Sequence, residues 1–414
     1  MAKARKDNKG RALYKGESQR KQDNKYIYTY TDPISGKRKY VYANDLQTLR
    51  EKEKRLMKDQ LDGLDVYLAG HADINYVFDR YISTKTDLRQ TTYTNYVYMY
   101  DHFVRDTFGK RKIAEIRYSE VLYFYYHLIN EENIQINTLE TIHTVLHPTF
   151  ELAVRDDVIR KNPSSGVMAE IKKKQGKNKG ARHALTKEQQ RAFLNYVAEN
   201  PVFFHWKPLF TVLVGTGLRI GEAIGLRWED IDMENQLINV NHAVVYYTHQ
   251  EKGGKTCDFH VSLPKTEAGT RIVPMMSQVK EAFKEEYEVQ KEQGFNSTVI
   301  DGMTGFIFCN RFGNVHNPQT INRTIKRILT NYNAEEVVKA KRERRQPVII
   351  PNFSCHHLRH TFCTRLCEVE TNLKVIQSIM GHADIQTTMD IYAEATNEKK
   401  TESIQNLSKN IDLF

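Results

Sequence analysis

The sequence predicts a multidomain fold that is mainly α with small β-sheets, and three observations carry that prediction. Residues 74–162 contain a single glycine, Gly109, and repeat apolar side chains at helical spacing. Brief aromatic and β-branched alternations lie at 25–42 and again beyond Leu237, each too short for a large sheet. Between them, Ile171 to His183 gathers like charges and two glycines into a stretch that cannot bury itself.

With 414 residues and 40% hydrophobic content, the chain can fill two or three cores. A net charge of +10 alongside 51 acidic residues is a bias spread over globular protein, not a tail. It points to a polyanionic partner, nucleic acid first and an anionic membrane surface second. Five cysteines, an odd and sparse set, argue against a secreted disulfide framework and for a reducing cytosol. The basic start, Met1 to Asp7, lacks a following apolar segment, and no apolar run reaches bilayer length, so a soluble, unprocessed protein is expected.

In chain order, Lys25 to Thr31 reads as a strand, Asp32 to Lys37 as a turn, and Lys39 to Tyr42 as a second strand, followed by a helix from Leu46 to about Leu61. So small a sheet needs the helix on one face and leaves the other for a partner. An exposed basic extension and a β-ribbon entering a DNA groove both fit this composition. A boundary is expected across Gly63 to Asp73, and then a helical bundle. The spacing of Leu122, Tyr126 and Ile129, and of Leu139, Ile142, Val145 and Leu146, sets its periodicity. Its tyrosines (Tyr93, Tyr96, Tyr98, Tyr100, Tyr118, Tyr123, Tyr125, Tyr126) are read as core, with base stacking as the alternative. Thr91, Thr92, Tyr93 and Asn95 open a helix whose first turn suits a phosphate. Asn162-Pro163 ends the bundle, the basic linker follows as an extended tether, and Thr186 with Gln189 forms a capping box that starts a new domain.

In that domain, Leu209 to Val214 is an apolar helix ended by Gly215-Thr216-Gly217, and Leu218 to Leu226 begins another. Arg219 stands at the start of this second helix, with Glu222 one turn on. An ordinary surface ion pair is the bland reading of these two. Leu237 to Tyr247 and Phe259 to Leu263 have strand character, and Lys265 lies on the turn into Thr270 to Val273. Cys355 to Tyr392 then concentrates chemistry: His356, Arg359 and His360 on one expected helix, Gly381-His382-Ala383, and Tyr392. Arginine offers a planar fork that matches phosphate oxygens, and tyrosine can serve as a nucleophile.

These pieces, Thr216 to Glu222, Lys265, His356 to Thr361, Gly381-His382-Ala383 and Tyr392, resemble in order the active-site set of the tyrosine recombinases. The domain order is similar to that of conjugative-transposon integrases. The resemblance implies an arm-type DNA-binding domain at 1–66 and a core-binding helical domain at 73–170. A basic linker at 171–183, an α+β catalytic domain at 184–397 and a tail at 398–414 would follow. It further implies DNA cleavage and rejoining through a 3′-phosphotyrosyl bond formed by Tyr392. Arg219 and Arg359 would clamp the scissile phosphate, His356 would assist Tyr392, Lys265 would protonate the leaving 5′-oxygen, and His382 would donate to a non-bridging oxygen. Glu222 and His360 would support the site. The bond energy is conserved in the intermediate, so neither ATP nor a metal is implied. Double-stranded DNA is the implied partner, with a homo-tetramer in the synaptic complex and an excisionase and host DNA-bending protein as accessories. Glu394 stands where some relatives carry histidine. Ile404, Leu407 and Ile411 make one apolar face suited to docking in the same protomer or on a neighbour.

Three rivals explain parts of this pattern. Cys355, His356, His360, Cys363 and Cys367 are dense enough to suggest zinc, although the glutamate of an H-E-x-x-H site is absent. A DNA-binding protein without catalysis fits the charge but leaves the coincidence of Arg219, Lys265, Arg359, His382 and Tyr392 unexplained. A type IB topoisomerase shares the nucleophile chemistry but gives no role to a separate basic hairpin.

Overall fold

A computed structural model describes residues 5–31, 36–61, 71–175, 184–251, 254–264 and 267–393. The chain divides into two compact units, Met1–Lys179 and Gly180–Phe414.

The first unit opens with a three-stranded antiparallel sheet of β1 (Glu17–Gln19), β2 (Tyr26–Thr31) and β3 (Arg38–Ala43), covered by α1 (Leu46–Leu61). The hairpin and helix match the expectation, whereas β1 adds a strand that the hairpin reading lacks. Three polar residues carry no alternation, so β1 is defined by pairing to Tyr26–Tyr28 and by the buried Glu17 gripping Arg50 of α1 at 2.9 Å. Tyr26, Tyr28, Leu46, Leu49 and Leu56 form the small core.

The same unit contains a helical bundle of α2 (Ile74–Ser83), α3 (Gln90–Tyr100), α4 (Tyr118–Asn130), α5 (Ile136–Arg155) and α6 (Val167–Gln175). Phe78, Tyr100, Tyr125, Leu146 and Phe150 are fully enclosed in it. Two expectations are corrected here. Of the eight tyrosines read as core, Tyr100 and Tyr125 are buried and Tyr96 and Tyr126 half-buried, but Tyr93, Tyr98, Tyr118 and Tyr123 are exposed. Aromatic residues on both faces of a helix cannot all point inward. The linker expected from Ile171 is helical to Gln175, because Val167 and Ile171 bury completely while Lys174 pairs with Glu170 at 2.8 Å on the outer face. Helix α3 begins at Gln90, and no side chain caps it. The remaining linker, 176–183, lies outside the described residues, as do 32–35 of the predicted turn and 63–70 of the predicted boundary.

The second unit packs α7 (Lys187–Glu199), α8 (Lys207–Thr216), α9 (Ile220–Gly225), α10 (Ser277–Gln293), α11 (Pro318–Glu343), α12 (Cys355–Val369) and α13 (Leu373–Met380) around a main core and a smaller cluster between α12 and α13. Phe193, Phe210, Leu213, Phe283, Phe306, Ile321 and Leu358 belong to the main core. Thr186 and Gln189 cap α7 reciprocally, as expected. A small antiparallel sheet runs β4 (Ile231–Asp232), β5 (Leu237–Val240) and β8 (Arg271–Pro274), and β6 (Ala243–Glu251) pairs with β7 (Gly254–Ser262) as a separate hairpin. The single strand expected over 237–247 is therefore two. It breaks at Asn241-His242, where His242 turns inward to bond the carbonyl of Gly225 at 2.7 Å.

Candidate active site

The site forms where α13 ends. Gly381 terminates that helix in the left-handed region at φ +62°, and its N–H caps the carbonyls of Gln377 and Ser378. A Cβ here would come within 2.9 Å of the Ala268 carbonyl and of Arg271 Nη1, so glycine is required for space as well as for conformation. A helix end leaves further carbonyls without intrahelical partners and carries a partial negative charge. Three arginines from distant parts of the chain take them up one each. Arg271 Nε donates to Ile379 O at 2.8 Å, Arg359 Nη2 to Met380 O at 2.5 Å, and Arg219 Nη2 to Gly381 O at 2.8 Å.

Local sequence places each of these side chains. Gly217, left-handed at φ +65°, stops α8, and a Cβ at that position would meet the Phe362 ring at 2.3 Å. The reversal sets Arg219 at the N-cap of α9, and the Gly217 carbonyl accepts Arg359 Nη1 at 2.7 Å. Glu222 organises the guanidinium groups. Its carboxylate accepts from the Arg219 backbone N–H and Nη1, both at 2.8 Å, and from Arg271 Nη1 and Nη2 at 3.1 and 2.9 Å. Burial works to raise the Glu222 pKa, but the Arg271 fork, backed by Arg219, overrides it and holds the group at about 2. Burial, then Arg219 and Arg271, push the Arg359 guanidinium down to about 9 against the pull of Glu222. Glu222 pairs with Arg219 and Arg271, whereas Arg359 bonds the carbonyls of Gly217 and Met380, so among the described residues three guanidinium groups gather around one carboxylate and leave an excess of positive charge, which is what an anion needs.

His382 follows Gly381 directly and is buried, its Nδ1 3.0 Å from the hydroxyl of the fully buried Thr388. Burial first, then the charges of Arg359, Arg219, Arg271 and His356, lower its pKa to about 4, so it is neutral at pH 7. His356 sits in the first turn of α12, exposed to solvent and close enough for its charge to be felt at His382. His360, one turn on, is buried. Tyr392 lies in the helical stretch 385–393, half-buried against Cys363, Cys367, Ile376 and Met380. The structure thus brings Arg219, Glu222, Arg359 and His382 to one place, with His356 nearby and Tyr392 on the side of Met380. Lys265 lies outside the described residues, as do 394–414, which carry the predicted apolar tail.

The thiols serve packing: Cys363 and Cys367 share a small cluster with Ile376 and Met380, and Cys355 joins the main core. Arg271 is the functional neighbour that the sequence reading passes over. Its strand alternates buried and exposed positions, placing an arginine on the same inward face as Val273, and a buried arginine calls for a carboxylate partner.

The residues 183–399 match the family model described as "Phage integrase family", and 1–60 match "DNA binding domain of tn916 integrase". The chain is 30% identical over 422 residues to "Transposase from transposon Tn1545" of Streptococcus agalactiae, covering 99% of this chain and 98% of that relative. It is also 30% identical to "Transposase from transposon Tn916" of Enterococcus faecalis, with the same coverage. Among solved structures it is similar to a Tyr-to-Phe variant of the Tn1549 transposon integrase in complex with transposon right end DNA. That likeness has a TM-score of 0.68 and 26% identity, over 81% of this chain and 100% of the other. A family model spanning more than half of the chain and relatives matched along nearly its whole length agree with the site, and the chain belongs to the phage integrase family, the tyrosine recombinases.

Proposed function

We propose that this recombinase cuts and rejoins double-stranded DNA at the ends of a mobile element, using the arginine-ringed end of α13 as the seat of the scissile phosphate. The observation that carries the reading is the convergence of Arg219, Arg271 and Arg359 on three successive carbonyls, with Glu222 as the counter-charge that Arg219 and Arg271 share. Relatives named as transposases, and an integrase solved on transposon-end DNA, support the mobile-element assignment.

In this reading Arg219, whose side chain is 43% exposed, meets the phosphate oxygens directly, while the buried Arg359 adds its charge from below the surface. Charge that grows on the pentavalent phosphorus is thereby met by groups already oriented, which costs no reorganisation during the reaction. Arg271 and Glu222 hold the clamp without reaching the phosphate. The Tyr392 oxygen attacks phosphorus with His356 taking up its proton, and the 5′-oxygen leaves with a proton from Lys265. Neutral His382, with the Thr388 hydroxyl donating to its Nδ1, keeps its proton on Nε2 and donates it to a non-bridging oxygen. Rejoining runs the same steps backwards from a new 5′-hydroxyl, so no ATP enters the cycle. Exchanging two duplexes breaks four strands, and one tyrosine per strand calls for four protomers.

The test is a nicked half-site DNA that loses its 5′-end on cleavage, which traps the covalent state. Wild type gives a protein–DNA adduct that survives denaturant, Tyr392→Phe gives none, and Arg219→Ala and Arg359→Ala bind the DNA but give none. An adduct from Tyr392→Phe equal to wild type removes the nucleophile assignment. No adduct from wild type, with binding intact, leaves a DNA-binding protein without catalysis.

A further inference from the structure

Helix α12 carries Arg359 and His356 on one side. On another it is tied to the segment that leads out of the interdomain linker. The backbone of Leu185 is gripped at both of its polar atoms by α12. Its N–H donates to Thr361 Oγ1 at 3.0 Å, and its carbonyl accepts from Arg365 Nη2 at 2.6 Å. Thr361 is fully buried, and its hydroxyl donates in turn to the His357 carbonyl at 2.8 Å, so it bridges the strap to the first turn of the helix. One turn beyond Arg365, Glu368 pairs with Arg365 and, at 3.1 Å, with Lys187. Thr361, Arg365 and Glu368 stand at i, i+4 and i+7, a single stripe of the helix. Leu185 itself is buried in the main core.

We propose that Thr361 and Arg365 are positioning residues: a latch through which residues 185–187 set the placement of α12, and with it the reach of Arg359 and His356. This rests on the reading of α12 as the helix that holds the phosphate clamp. The physical reason is leverage. Arg359 meets its two carbonyls, Gly217 and Met380, through bonds of 2.7 and 2.5 Å, and those partners lie on other elements. Releasing Leu185 lets the helix slide or turn about its axis, and misplacing a catalytic group by about 1 Å costs on the order of 100-fold in rate. Neither latch residue needs to touch DNA, so the loss falls on the chemical step and spares binding. The two ties are chemically independent, a hydroxyl accepting and a guanidinium donating, and either can be cut alone.

The full-length protein is tested on the same nicked half-site at saturating DNA, comparing wild type with Thr361→Val, Thr361→Ser and Arg365→Ala. The rate constant of adduct formation, its amplitude, the DNA Kd and the Tm are read separately. Thr361→Val and Arg365→Ala are expected to slow adduct formation about 10- to 100-fold with Kd within about 3-fold, and Thr361→Ser, which keeps the hydroxyl, to return within about 3-fold of wild type. A purely structural role lowers Tm or amplitude while the remaining protein reacts at the wild-type rate constant, and that result overturns the latch. So does a Thr361→Ser protein as slow as Thr361→Val. Wild type that binds but forms no adduct overturns the proposed function instead, and the latch falls with it.

Discussion

Glu222 shows how little of a residue's role its spacing reveals. At three residues from Arg219 it reads as a surface pair, yet in the fold it is buried and serves two arginines at once. Replacing it with Gln leaves Arg271 buried without a counter-charge. Breaking such a pair costs roughly 3–5 kcal/mol, and the expected outcome is a lowered Tm together with loss of cleavage, checked by thermal unfolding and the half-site assay. His382, its pKa held near 4 by burial and the neighbouring arginines, is neutral at pH 7 and, in the proposed mechanism, donates as a neutral imidazole. His382→Gln, which keeps a neutral N–H, is therefore expected to retain at least about 10-fold more cleavage than His382→Ala. Lys265→Ala is expected to be rescued by a 5′-bridging phosphorothiolate, whose leaving group needs no proton; no rescue removes Lys265 as the acid. That Arg219, Glu222, Arg359 and His382 belong together was legible in the sequence, because each has a chemistry suited to an anion site. Arg271 was not, because an arginine in a short strand gives no hint of the carboxylate it faces 49 residues away.

At the scale of elements, the end of α13 determines where the charges meet. Its carbonyls, together with the Glu222 carboxylate, hold Arg219, Arg271 and Arg359 in register. Gly381→Ala strains a left-handed position and places a methyl against Arg271 and the Ala268 carbonyl. The expected result is a destabilisation of at least about 1 kcal/mol, seen as a lower Tm, and a larger fall in cleavage rate than in DNA affinity. Helices with a strong apolar stripe and a cap, such as α7 behind Thr186, follow directly from local sequence. The elements that escape it are defined by partners. Strand β1 exists through its pairing with β2, the break between β5 and β6 through His242 reaching Gly225, and the helical end of the linker through burial of Ile171. Composition cannot register a partner that is distant in sequence.

For the whole molecule, the half-buried histidines His143 and His316 contribute to the loss of stability in acid. Burial holds His143 and His316 near 4, below the unfolded value of about 6.5. Groups with depressed basic pKa values resist protonation in the folded state, so the stability they contribute is complete above about pH 6.5 and falls as pH drops toward 4. Unfolding at pH 5 is expected to be easier than at pH 7 by on the order of 1 kcal/mol for each, since both retain some solvent contact. Equal stability at the two pH values contradicts this. The +10 net charge predicts an equally global effect on binding. Affinity for DNA is expected to fall about 1,000-fold or more between 50 and 200 mM salt, as counterion release requires, and titration at several salt concentrations reads the slope.

The proposed reaction depends on one bond, between Tyr392 and the 3′-phosphate. Digesting the trapped adduct with protease and nuclease and sequencing the nucleotide-bearing peptide by mass spectrometry locates that bond. The nucleotide is expected on the Tyr392 oxygen, and a nucleotide on His356, on a cysteine of α12 or on any other tyrosine contradicts the proposed reaction.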